Sequence, residues 1–262
     1  MMFFSEIISR IAGWCPMKAA ARAGAGNSDM PVQNQNDSDR AGGSSLRREL
    51  LFTRMSWAVT GLSYILALAV LPFLPDIIPI HWNYAGVPDA FGEKVPSVFT
   101  LPVILTLVMV LTRILPRYKQ MRAPSVLSRD LYAIIIFSAA CLVLAVQAVT
   151  LANAAGLMIP LVTVLPMLMG AIFIVLGGVL PLIGPNRVMG IRLPWTLKDE
   201  NNWRLTHERG GPVFMSAGIL IILGSPFAGT WAIVLMLAVL CIAILCITIY
   251  SYRLSRAHSP GS

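Results

Sequence analysis

Charge is the scarcest commodity in this sequence. Only 12% of its 262 residues are Asp, Glu, Lys or Arg, against about 25% in an ordinary soluble domain. Histidine and cysteine are also few, at three and four. No CxxC pair, HExxH helix or GxxxxGK[ST] phosphate loop occurs, so the patterns that announce zinc sites, metalloproteases and nucleotide sites are missing. Cys141, Cys241 and Cys246 fall in apolar stretches and Cys15 in the amino-terminal tail. None falls in an outside loop, so no disulfide is expected there. No cofactor, metal or catalytic set is expected, and the chain reads as a non-enzyme.

What is present is apolar. Hydrophobic residues make up 56% of the chain, and the mean hydropathy is +0.74. A spanning helix needs roughly 20 mostly apolar residues. Six such segments are predicted, over 53–75, 97–116, 130–151, 158–183, 211–229 and 230–252. All twelve acidic residues lie outside the centres of these segments. That leaves no buried carboxylate for proton coupling; Gln147 and Asn153 are the candidate polar groups at mid-membrane, with Asn153 near the outer end. Pro226 and Gly229 divide the last two segments with a turn. The expected fold class is all-α: a polytopic membrane protein with six transmembrane helices and both termini cytoplasmic.

The net charge of +8 follows the same topology. Arg47 and Arg48 precede the first segment and Arg54 lies at its start. Arg113 lies at the end of the second, Arg117, Lys119, Arg122 and Arg129 lie between the second and third, and Arg187, Arg192, Lys198, Arg204 and Arg209 between the fourth and fifth. Arg253 and Arg256 follow the sixth, whereas the alternate connections hold only Lys94. An excess of Lys and Arg marks cytoplasmic loops, so the basic residues read as orientation signals rather than as a nucleic-acid surface. Membrane lipid is an implied partner and direct nucleic acid is not.

The organisation read from these patterns has four parts. Residues 1–50 form a disordered or interfacial cytoplasmic tail: Phe4, Ile7, Ile8 and Ile11 fit one face of a short interfacial helix, and 17–45 lack the large apolar residues that offset ordering entropy. Residues 51–116 hold two transmembrane helices joined by an outer loop, 76–96. Residues 117–252 form a four-helix membrane region with an inner loop, 184–210, and 253–262 are a cytoplasmic tail. Small residues at Ala148, Ala152, Ala155, Gly170, Gly177 and Gly178 suit close helix packing in lipid. Pro102, Pro160, Pro166 and Pro181 are placed to kink or end helices.

Two polar islands interrupt this apolar chain. The inner one reads PNRVMGIRLPWTLKDENNWRLTH over 185–207. It predicts a short interfacial helix on the cytoplasmic surface, capped around Thr196 and Asp199. Glu200 and Arg204 would pair at i,i+4, and Asp199, Trp203 and His207 would share a face. Trp195 and Trp203 suit the headgroup level. An acid–base pair of His207 with Asp199 is conceivable, but a Trp-anchored linker or a binding surface fits better. The outer island reads DIIPIHWNYAGVPDAFGEKVP over 76–96. His81 with Asp76, Asp89 and Glu93 is too sparse for a metal site. Trp82, Tyr84 and Phe91 fit a membrane-interface cap or a peptide-contacting surface.

The two islands together resemble the SdpI/YfhL family of membrane proteins. The resemblance is carried inside by Pro185, Asn186, Gly190, Ile191, Arg192, Pro194, Trp195, Thr196, Trp203 and His207. Outside, Pro79, His81, Asn83, Gly86, Pro88, Asp89 and Lys94 resemble a short domain of unknown function that often precedes that signature. The likeness covers roughly 55–252. It implies a multi-pass protein of the bacterial cytoplasmic membrane that gives immunity to a secreted, membrane-active toxin peptide. It also implies signalling, by holding a small winged-helix repressor at the membrane. On this footing Asn186, Arg192, Trp195, Thr196, Trp203 and His207 are candidate inner binding residues, and His81, Asn83, Gly86, Pro88 and Asp89 are outer ones. A small-solute transporter or a general envelope-stress protein is the alternative.

Overall fold

A computed structural model describes residues 35–114, 126–186 and 189–257. The chain divides into two compact units, Met1–Gly43 and Ser44–Ser262. The first enters the description only from Gln35, so the expected interfacial helix around Phe4–Ile11 lies outside the described residues. Among the described residues there are six α-helices: α1 (Gln35–Val70), α2 (Lys94–Ile114), α3 (Val126–Ala154), α4 (Leu161–Val179), α5 (Glu200–Ala228) and α6 (Ala232–Ala257). Helix α1 starts within the stretch expected to be a disordered tail, 17–45. Extending an existing helix by one residue gains a hydrogen bond without a new nucleation cost.

Five stretches are long and apolar enough to cross a membrane: Leu46–Phe73, Lys94–Ile114, Arg129–Ala154, Leu161–Leu182 and Glu200–Ala257. The chain is thus a mostly helical, multi-pass membrane protein. The last stretch runs for 58 residues, which at about 1.5 Å per residue is far too long for one ~30 Å crossing. It folds back on itself. Gly229 adopts φ +54° and opens a short 3-10 turn, Gly229–Trp231. Ser251 near the end of α6 then meets Asn202 near the start of α5. The predicted break holds at Gly229, while Pro226 lies inside α5.

The all-α expectation needs correction at 76–96. This segment is an antiparallel hairpin of β1 (Ile77–Trp82) and β2 (Pro88–Glu93). Register shifts occur between Pro79 and His81 and between His81 and Trp82; a bulge is how a strand accommodates such irregularity. Nor does the hairpin project freely. At its base the Lys94 amide donates to the Asp76 carbonyl at 2.9 Å and its ammonium pairs with the Asp76 carboxylate at 2.9 Å. That hydrogen bond and charge hold the Asp76 carboxyl below its ordinary pKa. Ile78 is buried in a cluster with Ala67, Leu74, Val98, Leu151 and Ala154, so the hairpin rests on the ends of α1, α2 and α3.

Two kinds of helix packing follow from the sequence. Helices α4 and α5 meet through glycine. A Cβ on Gly170 would sit 2.7 Å from the Gly218 carbonyl oxygen, and one on Gly177 would sit 2.6 Å from that of Gly211. The two pairs run antiparallel with a seven-residue spacing, two turns of helix. Gly178 has no neighbour near its Cβ position, and Ala148 and Ala155 are exposed, so those predicted packing positions play no such part. Helix α1 instead presents Ser56, Thr60, Ser63 and Ala67, all buried and spaced to share one helical face. Ser56 and Thr60 donate back to the carbonyls of Phe52 and Ser56. Ser63 donates to the Gln147 side chain of α3, whose amide donates to the Ser63 carbonyl at 3.0 Å.

One expectation about charge is overturned. Asp130 is a buried carboxylate, 2% exposed, at the start of α3. Arg48 of α1 donates to its Oδ2 at 3.0 Å, and among the described residues its Oδ1 has no partner. The residue escaped notice because it sits at the edge of an apolar run, where a sequence gives no hint of what α1 brings alongside.

Candidate functional site

The inner island folds as a strap, 189–198, held against the start of α5. Among the described residues, the helix expected here is not set apart from the spanning one: residues 200–210 are the first turns of α5, which continues through Gly210, Gly211 and Pro212. Close packing meets both glycines: a Cβ on Gly211 would sit 2.8 Å from the Gly177 carbonyl of α4 and 2.6 Å from Pro181 just beyond it, and one on Gly210 would meet Leu180 and Ile191. Asp199 is the N-cap and accepts the Asn201 amide at 2.9 Å, a favourable role for a carboxylate at a helix start. It is therefore not paired with His207. Thr196 is no cap but a staple inside the strap: its hydroxyl accepts the Leu193 amide and lies 2.8 Å from the Ile191 carbonyl oxygen. The ion pair also differs, with Arg204 binding Glu208 and Asn201 rather than Glu200.

Trp203 and His207 form the floor. Both are 1% exposed and their rings stack with centroids 4.2 Å apart. Trp203 is buried among Leu131, Ile134, Val179 and Ile183, and its indole donates to the Ile183 carbonyl at 2.9 Å. It is not a headgroup anchor, because the strap covers it. The Ile191 amide donates to His207 Nε2 at 2.9 Å, while Nδ1 lies 2.8 Å from the Trp203 carbonyl oxygen. An amide can only donate and a carbonyl only accept, so the ring is neutral with its proton on Nδ1. Gly190, at φ +108°, presses onto this pair: a Cβ there would sit 2.9 Å from Trp203 Cζ2 and closer still to His207 Nε2.

A second buried cluster, missed in the sequence, pins the strap to α6. Trp195 Nε1 donates to Ser251 Oγ at 2.9 Å. Ser251 Oγ donates to Asn202 Oδ1, and Asn202 Nδ2 donates to the Ser251 carbonyl. Thr206 Oγ1 lies 2.9 Å from both Asn202 Oδ1 and Ser251 Oγ. Asn202 and Thr206 stand four apart on one helix face, a legible signal, but nothing local ties them to Ser251.

Outside the floor lies an open cleft of about 540 Å³ lined by Pro181, Leu182, Ile183, Glu200, Asn201, Trp203, Arg204 and His207. Of the six candidate inner residues, Thr196, Trp203 and His207 are buried, Asn186 and Trp195 are half-buried, and only Arg192 is exposed. Asn186 closes its own turn through Gly184 and Met189. In the hairpin, Asn83 Oδ1 accepts the amides of Ala85 and Val87 and Gly86 supplies φ +78°. Pro88 opens β2. His81 Nδ1 and Asp89 Oδ1 stand 2.5 Å apart on the exposed side. Hairpin and strap lie at opposite ends of the helices, so the two candidate sets do not meet.

Residues 182–251 match the SdpI/YfhL protein family, and residues 58–106 match a domain of unknown function, DUF1648. Immunity protein SdpI of Bacillus subtilis (strain 168) is 27% identical over 198 residues, covering 76% of this chain and 93% of that protein. Uncharacterized membrane protein YbgB of the same organism is 35% identical over 57 residues, 21% of this chain and 63% of that protein. No solved structure matches the chain. The strap, the glycine-packed α5 and most of α6 all fall within 182–251, and the chain thus carries the SdpI/YfhL family region with the DUF1648 region ahead of it.

Proposed function

We propose that this protein gives immunity to a secreted, membrane-active toxin peptide and relays the toxin's presence across the membrane. The observation that carries this reading is the likeness to an immunity protein over 93% of that protein's length, alongside family matches that cover both polar islands. The chain crosses the bacterial cytoplasmic membrane six times, with α5 and α6 as separate crossings and both termini inside, in keeping with its basic loops. The hairpin, with His81 and Asp89 exposed, meets the toxin. The cleft and Arg192 face the cytoplasm and dock a small repressor, while Trp203, His207, Thr196, Trp195 and Asn186 position that surface from beneath. Helix α3 supports such a relay by its contacts: Leu151 and Ala154 pack with Ile78 of the hairpin, and Leu131 and Ile134 pack with Trp203.

The test is the membrane potential of sensitive bacteria, with and without this protein, challenged with the membrane-active peptide of a toxin producer. Potential that holds only in the expressing cells is the expected result. Equal depolarisation by peptides from every producer tried would move the reading towards envelope maintenance or solute transport. Asp130 adds little to transport, since it sits at a helix end and is tied to Arg48.

A further inference from the structure

The strap is fastened near both ends by groups that do not titrate. At one end Asn186 Oδ1 accepts the Met189 amide at 2.7 Å. At the other, Thr196 accepts the Leu193 amide and the Trp195 indole donates to Ser251. The middle is held differently. Among the described residues, the polar tie from the Gly190–Ile191 peptide to α5 is the Ile191 amide donating to His207 Nε2 at 2.9 Å. Gly190, at φ +108°, gives the strap a backbone joint at this point that other residues would resist.

The imidazole spends both nitrogens on the latched arrangement. Nδ1 carries its proton towards the Trp203 carbonyl oxygen at 2.8 Å, and the Nε2 lone pair receives the amide. A second proton can go only to Nε2, where it sets one N–H against another. The Ile191 amide then loses its acceptor, and the ring gains a donor that the amide cannot receive. The open cleft supplies what the strap does not, because His207 lines it together with Glu200 and Arg204, so water and the Glu200 carboxylate lie on that side.

The charged groups around the ring leave its state free to change. On α5, Arg204 is taken up by Glu208 and Asn201. The strap brings Arg192, which is exposed. The lining after α4, Pro181 to Pro185, brings no charge. Helix α3 brings Asp130, beside Leu131 of the Trp203 cluster and bound to Arg48 of α1. Helix α6 meets α5 nearby through Ile247 and Ser251, which carry none. Among the described residues no carboxylate binds the imidazole.

We propose that His207 is a proton-operated latch: a proton taken up at Nε2 releases the Ile191 amide, and the strap lifts at Gly190 from the Trp203–His207 floor. The released state holds one proton more than the latched one, so acid favours release. Arg192 is next in the chain, and the latch thereby sets where its exposed guanidinium stands. The inference rests on the strap alone and holds whether or not this end of the protein docks a repressor.

Amide exchange and ring-nitrogen shifts test it on the full chain in phospholipid nanodiscs, with isotope-labelled isoleucine and histidine. Ile191→Val and His207→Gln assign the two signals. The pH is lowered from about 8 to about 5, the range in which an imidazole takes up its proton. The expected result is protonation of His207 Nε2 and, with the same midpoint, a roughly tenfold loss of Ile191 amide protection beyond the intrinsic pH dependence of exchange. Ile174 of α4 should keep its protection throughout. In His207→Gln the side-chain oxygen accepts the amide at every pH, so Ile191 protection should not respond to acid. A ring that stays neutral down to about pH 5, or one that protonates while Ile191 stays protected, overturns the latch on the native chain alone. So does a loss of protection shared by Ile174, which is unfolding of the bundle. A loss that persists in His207→Gln overturns it too, by placing the titrating group elsewhere.

Discussion

A side chain at position 190 has nowhere to go. The backbone there holds φ +108°, and the hydrogen-only face of the glycine rests on Trp203 and His207. Gly190→Ala combines left-handed backbone strain of about 1–2 kcal/mol with that collision. His207→Ala removes the acceptor of the Ile191 amide, and an unmet buried donor costs about 1–3 kcal/mol. Both substitutions should lower the melting temperature in detergent, followed by near-ultraviolet tryptophan signal. The double variant should lose less than the sum, because the two residues are in contact. Unchanged melting of His207→Ala would mean that the strap is not held through the imidazole. The same geometry separates position from contact in the signature. His207 and Trp203 shape the surface, and Arg192 is the member a partner can reach.

At the scale of elements, α4 and α5 are the firmest pair and glycine is the cause. Without a hydrophobic force between helices in lipid, close backbone approach and van der Waals packing hold them. Replacing Gly177 or Gly170 by leucine drives side-chain atoms into the Gly211 or Gly218 carbonyl and should collapse the yield of folded protein. Gly178→Leu, one residue away with nothing near its Cβ position, should be close to neutral. Size-exclusion recovery after mild heating distinguishes them. Equal recovery for Gly177→Leu and Gly178→Leu would show that the helices are not packed this closely.

At the scale of the molecule, α1 has no glycine seam and adds polar contacts to its apolar packing around Ala67. Arg48 reaches Asp130 at one end and Ser63 reaches Gln147 further along, while Tyr64 meets Thr106 of α2 at 3.1 Å. Arg48→Ala leaves a buried carboxylate with neither oxygen paired, a loss of about 1–3 kcal/mol. Asp130→Ala alone should cost less, because Arg48 is 37% exposed and can turn to water. Adding Asp130→Ala to Arg48→Ala should recover stability. A double-mutant cycle by chemical denaturation reads the coupling, and strict additivity would remove the ion pair as a link between α1 and α3.

Much of this was legible one residue run at a time. Apolar length and the scarcity of charge determined that the chain is a multi-pass helical protein. Gly229 determined where α5 turns back, and the two polar islands determined the family region, because each of these is written in consecutive residues. Tertiary structure decided the rest. The hairpin at 77–93 forms because Ile78 finds a pocket between α1, α2 and α3, which no local pattern records. Trp203 and His207 became a buried floor because Ile183, Ile191 and Gly190 close over them, although the same residues at the same spacing also fit an interfacial face. Asp130 and Ser251 took their roles from partners 82 and 49 residues away. Helical periodicity reports which side chains share a face; only packing decides what that face meets.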